Sequence, residues 1–297
     1  MPRTLRTPPP TNKNIIPRSL NSEEYYASYD HEAVLQLSSR TIICPATYER
    51  KPTVERCVGS TNKFKLRSKV YIHDDGSTQY DEQWLQQLGD RVYRHKHGEG
   101  GRKGVKNLRS NIVKSIIGSF HPSIFQPWIE EDFGTEGPEY VYMVDSDGYH
   151  DPCFFYRIHE IMNVYPEWGV ICLYNAQFHS PKRNLPEKNL VDHMTAVRGM
   201  SAGISMFFRM QDFKDRPKHI QVPDGRGWDG YYSQMIGGRK IANSLVSFVE
   251  HMGRWGFHNK GNWERDRALF PTKYLEDIRD ETIKEIDDEY AGVGFIA

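Results

Sequence analysis

Residues 140–147 read YVYMVDSD. The first five are apolar or aromatic without a polar break, the pattern of a strand buried on both faces. The run stops at Asp145 and Asp147, with Ser146 between them. Strands of this kind belong inside parallel sheets covered by helices, and ligands bind such sheets beyond the carboxyl ends of the strands. Two acids at i and i+2 there can both reach one hard cation, or one can bind it while the other holds a ribose. Mg²⁺ and Mn²⁺ take such oxygen ligands and share their coordination with phosphates. The plainer alternative is a polar strand-to-helix loop with solvated acids.

Reading outward, TIICP at 41–45 is a short buried strand, followed by a turn and a helix through 53–58. KVYI at 69–72 is a second strand, ending at His73-Asp74-Asp75-Gly76-Ser77. Residues 81–88 read as a short helix and 91–94 as a third strand. Apolar residues at 108, 112, 113, 116 and 117 predict a helix over 106–117. Asp151 is expected to cap a helix running to Tyr165, with Pro152 in its first turn. GVICLY at 169–174, GISMFF at 203–208 and LVSFV at 245–249 complete the strands. Residues 274–290 form a charged helix with a weak apolar stripe. Strands alternating with helices imply a single α/β domain, with a mostly parallel central sheet flanked by helices. Residues 1–20 are rich in Pro, Arg, Thr and Asn, and order is expected to begin near Leu35. The division is therefore a flexible or surface-wrapping tail over 1–34, a catalytic-sized domain over 35–265 and a helical tail over 266–297. No internal repeat is visible.

Composition narrows the classes. Of 297 residues, 38% are hydrophobic and 12% aromatic, enough for a sizeable core. Lys+Arg and Asp+Glu each count 39, so a globally basic nucleic-acid binder is not indicated. No apolar run approaches a membrane span, and the first residues lack the apolar stretch of a secretory signal. Cys44, Cys57, Cys153 and Cys172 show no CxxC spacing and read as buried free thiols, which suits a cytoplasmic location.

Four further features carry chemistry. Asp74-Asp75-Gly76-Ser77 can offer a carboxylate to a base N–H or a ribose hydroxyl, or can be an ordinary acidic turn. Trp228-Asp229-Gly230 follows the loop PDGRG. Its carboxylate suits base work beside an aromatic face that could receive a sugar ring, and it also suits a helix N-terminus. His251, after an apolar strand, can supply an imidazole ligand or be a satisfied structural residue, with His258 a weaker candidate. Residues 91–109 hold seven basic side chains, Arg91, Arg94, Lys96, Arg102, Lys103, Lys106 and Arg109, opposed only by Glu99. They form either a phosphate-facing loop or a solvated basic one.

In this order the motifs resemble the family 2 glycosyltransferases and their GT-A relatives. The matching parts are TIICPATYERKPTVERCV, VYIHDDGST, Arg109, VYMVDSDG, GISMFFRMQDF, GWDGYY and SFVEHMG, spanning roughly residues 41–258. The resemblance implies a GT-A fold, a nucleoside-diphosphate sugar donor, UDP-linked by expectation, and Mn²⁺ or Mg²⁺. It implies that Thr47 and Tyr48 line the base pocket and that Asp74 or Asp75 contacts uracil or ribose. Arg109 would sit near the donor, with Asp145, Ser146 and Asp147 holding ribose, metal and pyrophosphate. Trp228 would border the donor, Asp229 would be the catalytic base, and His251 would join Asp145 and Asp147 on the metal. The usual acidic pair before the base helix is here Trp228-Asp229, and the QxxRW motif of processive synthases is represented only by His251-Met252-Gly253-Arg254-Trp255.

The expected activity is inverting transfer of a hexosyl or related group to a hydroxyl on a glycan, a protein or a modified DNA base. A sugar nucleotidyltransferase is the second reading, weakened because no Gly-rich phosphate loop follows the first strand. A non-catalytic carbohydrate- or nucleotide-binding protein of the same fold is the third.

Overall fold

The computed structural model describes residues 19–96, 104–176, 190–199, 201–238, 240–253 and 267–293. Strands β1 (Thr41–Thr47), β2 (Lys69–Asp74), β3 (Arg91–Arg94) and β4 (Tyr140–Asp145) run parallel in the spatial order β3-β2-β1-β4. Next comes β8 (Ser205–Arg209), antiparallel to β4. Beyond it lie β6 (Val170–Cys172) and β9 (Ile241–Ser244), parallel to each other, and β7 (Thr195–Arg198) closes that edge antiparallel to β9. A separate pair joins β5 (Gly148–His150) to β10 (Val249–His251). The architecture is a single α/β domain with a mostly parallel sheet flanked by helices, as the alternating pattern predicts.

Successive strand residues point to opposite faces, so each central strand feeds two cores. Ile42, Cys44, Tyr71, Val141 and Met143 pack with Leu108, Ile112 and Val113 of α5 (Gly104–Ile116), Ile129 of α6 (Pro122–Phe133) and Tyr232 of α9 (Trp228–Met235). Ile43, Val70, Ile72, Tyr142 and Val144 pack on the other face with Val54 and Val58 of α3 (Lys51–Lys63) and Phe154, Phe155 and Ile158 of α7 (Phe154–Val164). These aliphatic side chains are almost wholly removed from water, which stabilises the fold by roughly 1.5–3 kcal/mol each.

Three expectations change. Order begins well before Leu35: α1 (Ser22–Tyr26) and α2 (His31–Ser39) are formed, and Tyr26, Val34 and Leu37 join the core. Their polar faces hid an apolar stripe too short to read. Asp151 does not cap α7, whose N-cap is Cys153. Its carboxylate instead accepts from Cys153 N (2.7 Å), Ser22 Oγ (2.9 Å) and Thr272 Oγ1 (2.6 Å), tying three chain segments together. The last strand is not 245–249, because the chain forms β9 before it and β10 at its end.

The C-terminal helix α10 (Lys273–Val293) packs its apolar stripe against the domain. Ile283 and Ile286 pack with Cys57 and Met252, Arg56 pairs with Glu285 and Glu289, and Tyr290 OH meets Thr53 Oγ1 at 3.2 Å. All four cysteines are buried and free. Among the described residues no helix is long and apolar enough to cross a membrane.

Candidate active site

The parallel register decides where the acids meet. Thr47 pairs with Asp74 and Ala46 with Asp145, so β2, β1 and β4 end level. Beyond Asp145 the chain turns through Ser146 and Asp147 into β5. There it meets β10 antiparallel, with His251 opposite Gly148 and Met252 N donating to Asp147 O at 2.8 Å. That hairpin-like pairing of distant segments places His251 Nε2 3.4 Å from Asp147 Oδ2.

Two arginines complete the cluster. Arg50 Nη1 donates to Asp147 Oδ2 at 2.8 Å and Nη2 to Ser146 Oγ at 3.2 Å. Arg109, fully buried on α5, donates to the Asp145 carboxylate and to Val144 O at 2.9 Å. Its guanidinium lies 4.5 Å from the centre of the Trp228 ring, a cation–π contact.

The carboxyls respond in opposite directions. Burial would raise Asp147, but the charges of Arg50 and His251, and their hydrogen bonds, hold it well below the usual carboxylate range. Removal from water pushes Asp145 up against the pull of Arg109, helped by the negative charges of Asp147 and Asp229. Asp229 therefore stands within electrostatic reach of Asp145. It lies in the first turn of α9, half-buried, and its Oδ1 accepts from Gly230 N at 2.8 Å.

The expected metal set Asp145, Asp147 and His251 is not assembled as one group. Among the described residues no three His, Cys, Asp or Glu side chains gather to hold a metal. Arg109 competes for Asp145 and turns it into an ion pair. Asp147 and His251 do suit a divalent cation. One offers a carboxylate oxygen, which suits hard cations such as Mg²⁺ and Mn²⁺, and the other an imidazole nitrogen, which suits first-row transition metals. A Cβ at Gly253 would come within 2.5 Å of Asp147 Oδ2 and 2.8 Å of His251 Nε2. Glycine there keeps a side chain out of the space over both donor atoms. His258 lies outside the described residues.

The second acidic motif is used differently. Asp74 is wholly buried and accepts from Thr47 Oγ1 (3.0 Å), Ser77 N (2.9 Å), Ser77 Oγ and Arg94 Nε (3.1 Å). Thr47 and Asp74 thus hold each other, whereas Tyr48 is 42% exposed and Asp75 half-buried. Of the basic stretch, the Lys106 side chain lies outside the described residues and Arg109 joins the β4 end. Arg91 pairs with Glu131 and Asp132, Arg94 with Asp74, and Lys96 is exposed. Arg102 and Lys103 lie outside the described residues. Trp228 is also buried rather than offered to a sugar ring. A Cβ at Gly203 would sit 2.6 Å from the ring, and a face of the indole receives Arg109. Arg50 was not legible in the sequence; its one signal is a lone arginine between the strand-end TYE and the Lys-Pro start of α3.

No protein-family model matches the chain, and no curated protein sequence does. Solved structures do. TarS of S. aureus shares 15% identity, with 70% of this chain and 36% of that one covered and a TM-score of 0.47; the chain therefore spans 36% of the length of TarS. Mannosyltransferase PcManGT from Pyrobaculum calidifontis, in complex with GDP-Man and Mn²⁺, shares 10% over 86% of this chain and 76% of that one, with a TM-score of 0.49. A mycobacterial protein shares 14% over 73% and 70%, with a TM-score of 0.42.

Proposed function

We propose that the chain is a metal-dependent glycosyltransferase of the GT-A kind. It would move a sugar from a nucleoside-diphosphate sugar, UDP-linked, to an acceptor hydroxyl with inversion. One observation carries the reading: at the carboxyl end of β4, Asp147 pairs with Arg50 and faces His251, beside the Arg109–Asp145 ion pair.

Asp147 and His251 would hold the divalent cation, with Asp145 beside them, and the cation would supply positive charge against the departing diphosphate. Arg109 fixes the Asp145 carboxylate and the end of β4 through its bond to Val144 O. Asp229 removes the acceptor proton, its orientation steadied by Gly230 N. The acceptor oxygen then attacks the anomeric carbon opposite the diphosphate. Tyr48 offers an exposed ring face to the base. Asp75, rather than the fully engaged Asp74, meets uracil or ribose. Four buried free thiols suit a reducing, cytoplasmic compartment.

A panel of nucleotide sugars with Mn²⁺ or Mg²⁺, scored for nucleoside-diphosphate release, tests the reading; no release from any donor ends it. Asp229→Asn is expected to lower turnover by roughly 10²–10⁴-fold, and near-parental turnover would remove Asp229 from the role.

A further inference from the structure

We propose that Arg50 is a resident counter-ion for Asp147, closing that carboxylate to a divalent cation until a diphosphate draws the guanidinium away. The inference rests on the reading of Asp147 and His251 as cation ligands. Arg50 Nη1 lies 2.8 Å from Asp147 Oδ2. That same oxygen faces His251 Nε2 at 3.4 Å and is the atom a Cβ at position 253 would strike. A guanidinium and a doubly charged ion on one oxygen repel strongly at contact distance, so the two occupancies exclude each other.

The backbone that delivers Arg50 is unusual. Glu49 and Arg50 are consecutive left-handed residues, with φ of 50° and 59°. L-residues disfavour that region, and it persists only where the surroundings over-determine it. Here they do. The Glu49 carboxylate accepts from Thr78 N (2.8 Å), Thr78 Oγ1 (2.9 Å) and Gln79 N (3.1 Å), and Lys51 N donates to Gln79 Oε1 at 3.0 Å. The loop fixes the main chain from which the Arg50 side chain reaches Asp147.

The Arg50 side chain is 24% exposed, so an anion can reach it. A diphosphate presents adjacent anionic oxygens to the planar fork, a better match than the one Asp147 oxygen and the neutral Ser146 hydroxyl it now uses. Release of Asp147 and capture of the diphosphate are then one event. Cation and diphosphate binding become positively coupled, and the coupling is reciprocal.

Two titrations read this without any sugar: Mn²⁺ alone, followed by electron paramagnetic resonance of the free ion, and inorganic pyrophosphate alone in EDTA, by calorimetry. Arg50→Gln is expected to bind Mn²⁺ about ten-fold more tightly than the parent and pyrophosphate about ten-fold more weakly. A side chain needed only for folding would not improve Mn²⁺ binding when removed. Unchanged or weaker Mn²⁺ binding in Arg50→Gln, or unchanged pyrophosphate binding, overturns the proposal. Should that variant fail to fold by circular dichroism, Arg50→Met, which keeps an apolar stem, carries the same two titrations. Asp147→Asn separates the readings. If it loses Mn²⁺ while Arg50→Gln gains none, the cation site stands and the Arg50 proposal falls. If it keeps Mn²⁺, the cation site falls, and the Arg50 proposal with it.

Discussion

The ends of β2 and β4 carry the same kind of sequence, an apolar strand stopping at acids, yet the molecule uses them in opposite ways. At β2 the charge is settled. Asp74 sits at 0% exposure with hydrogen bonds from Thr47, Ser77 and Arg94, and nearby His73 and His95 lie 3.3 Å apart, both buried. At β4 the charge is unsettled. Asp145, Asp147, His251, Arg50 and Arg109 share one rim, and the two carboxyls move in opposite directions from their ordinary acidity. A strand-end acid whose hydrogen bonds are all satisfied by one fixed set of partners is architecture, whereas one whose partners compete is available for chemistry.

The sharpest way to break this contrast is to neutralise one acid at each end. Asp147→Asn is expected to cut nucleoside-diphosphate release by about 10³-fold and to lower the unfolding midpoint in urea less than Asp74→Ala does. Asp74→Ala is expected to act mainly on stability. It leaves the buried hydroxyls of Thr47 and Ser77 without their acceptor and removes the partner of the part-exposed Arg94, at a cost of about 3 kcal/mol of stability by urea titration. If Asp147→Asn proves the more destabilising of the two, the contrast is wrong.

Acid separates the two ends next. Burial, with His121 nearby and against the pull of Asp74, pushes His95 down to about 4, and burial, with His95 and Arg109 nearby, drives His73 well down in the same sense. The unfolded chain therefore takes up protons near pH 6.5 that the folded chain refuses until about 4, so stability falls as pH drops across that window. For His95 the full effect is on the order of 3 kcal/mol, and His95→Gln should flatten this limb of a stability–pH curve. Asp147 acts later. Its depressed folded acidity contributes stability that is present above its unfolded value and lost only as pH falls below it.

The smallest effect lies within one motif. Asp75→Asn is expected to raise the KM for the nucleotide sugar by roughly five-fold with no change in unfolding midpoint, the size of one lost polar contact. An equal loss of stability in Asp75→Asn and Asp74→Ala would erase the distinction between these neighbours.

Much of the fold was legible because long apolar runs leave few options. TIIC, VYI and YVYMV could only be buried strands, and the apolar spacing of 108–117 could only be a helix face. Short or polar elements escaped. β5 and β10 are three residues each and exist only because they pair with each other, while TAVR and IANS carry too little apolar signal to stand out as β7 and β9. The site divided along the same line. Asp145, Asp147, Asp229 and His251 were singled out by strand ends and motif order. The burial of Trp228 under Arg109 and the reach of Arg50 to Asp147 were not, because neither follows from neighbours along the chain.

By itself the sequence determined the long apolar strands, most of the helices around them, and the acids carried at the strand ends, since apolar periodicity and strand length are local properties. Only the tertiary structure decided which acid is neutralised and which stays contested. That depends on where the fixed register of β1, β2 and β4, the pairing of β5 with β10 and the left-handed turn at Glu49–Arg50 bring opposite charges within a few ångströms, and Coulomb energy at such distances is set by position in space rather than in sequence.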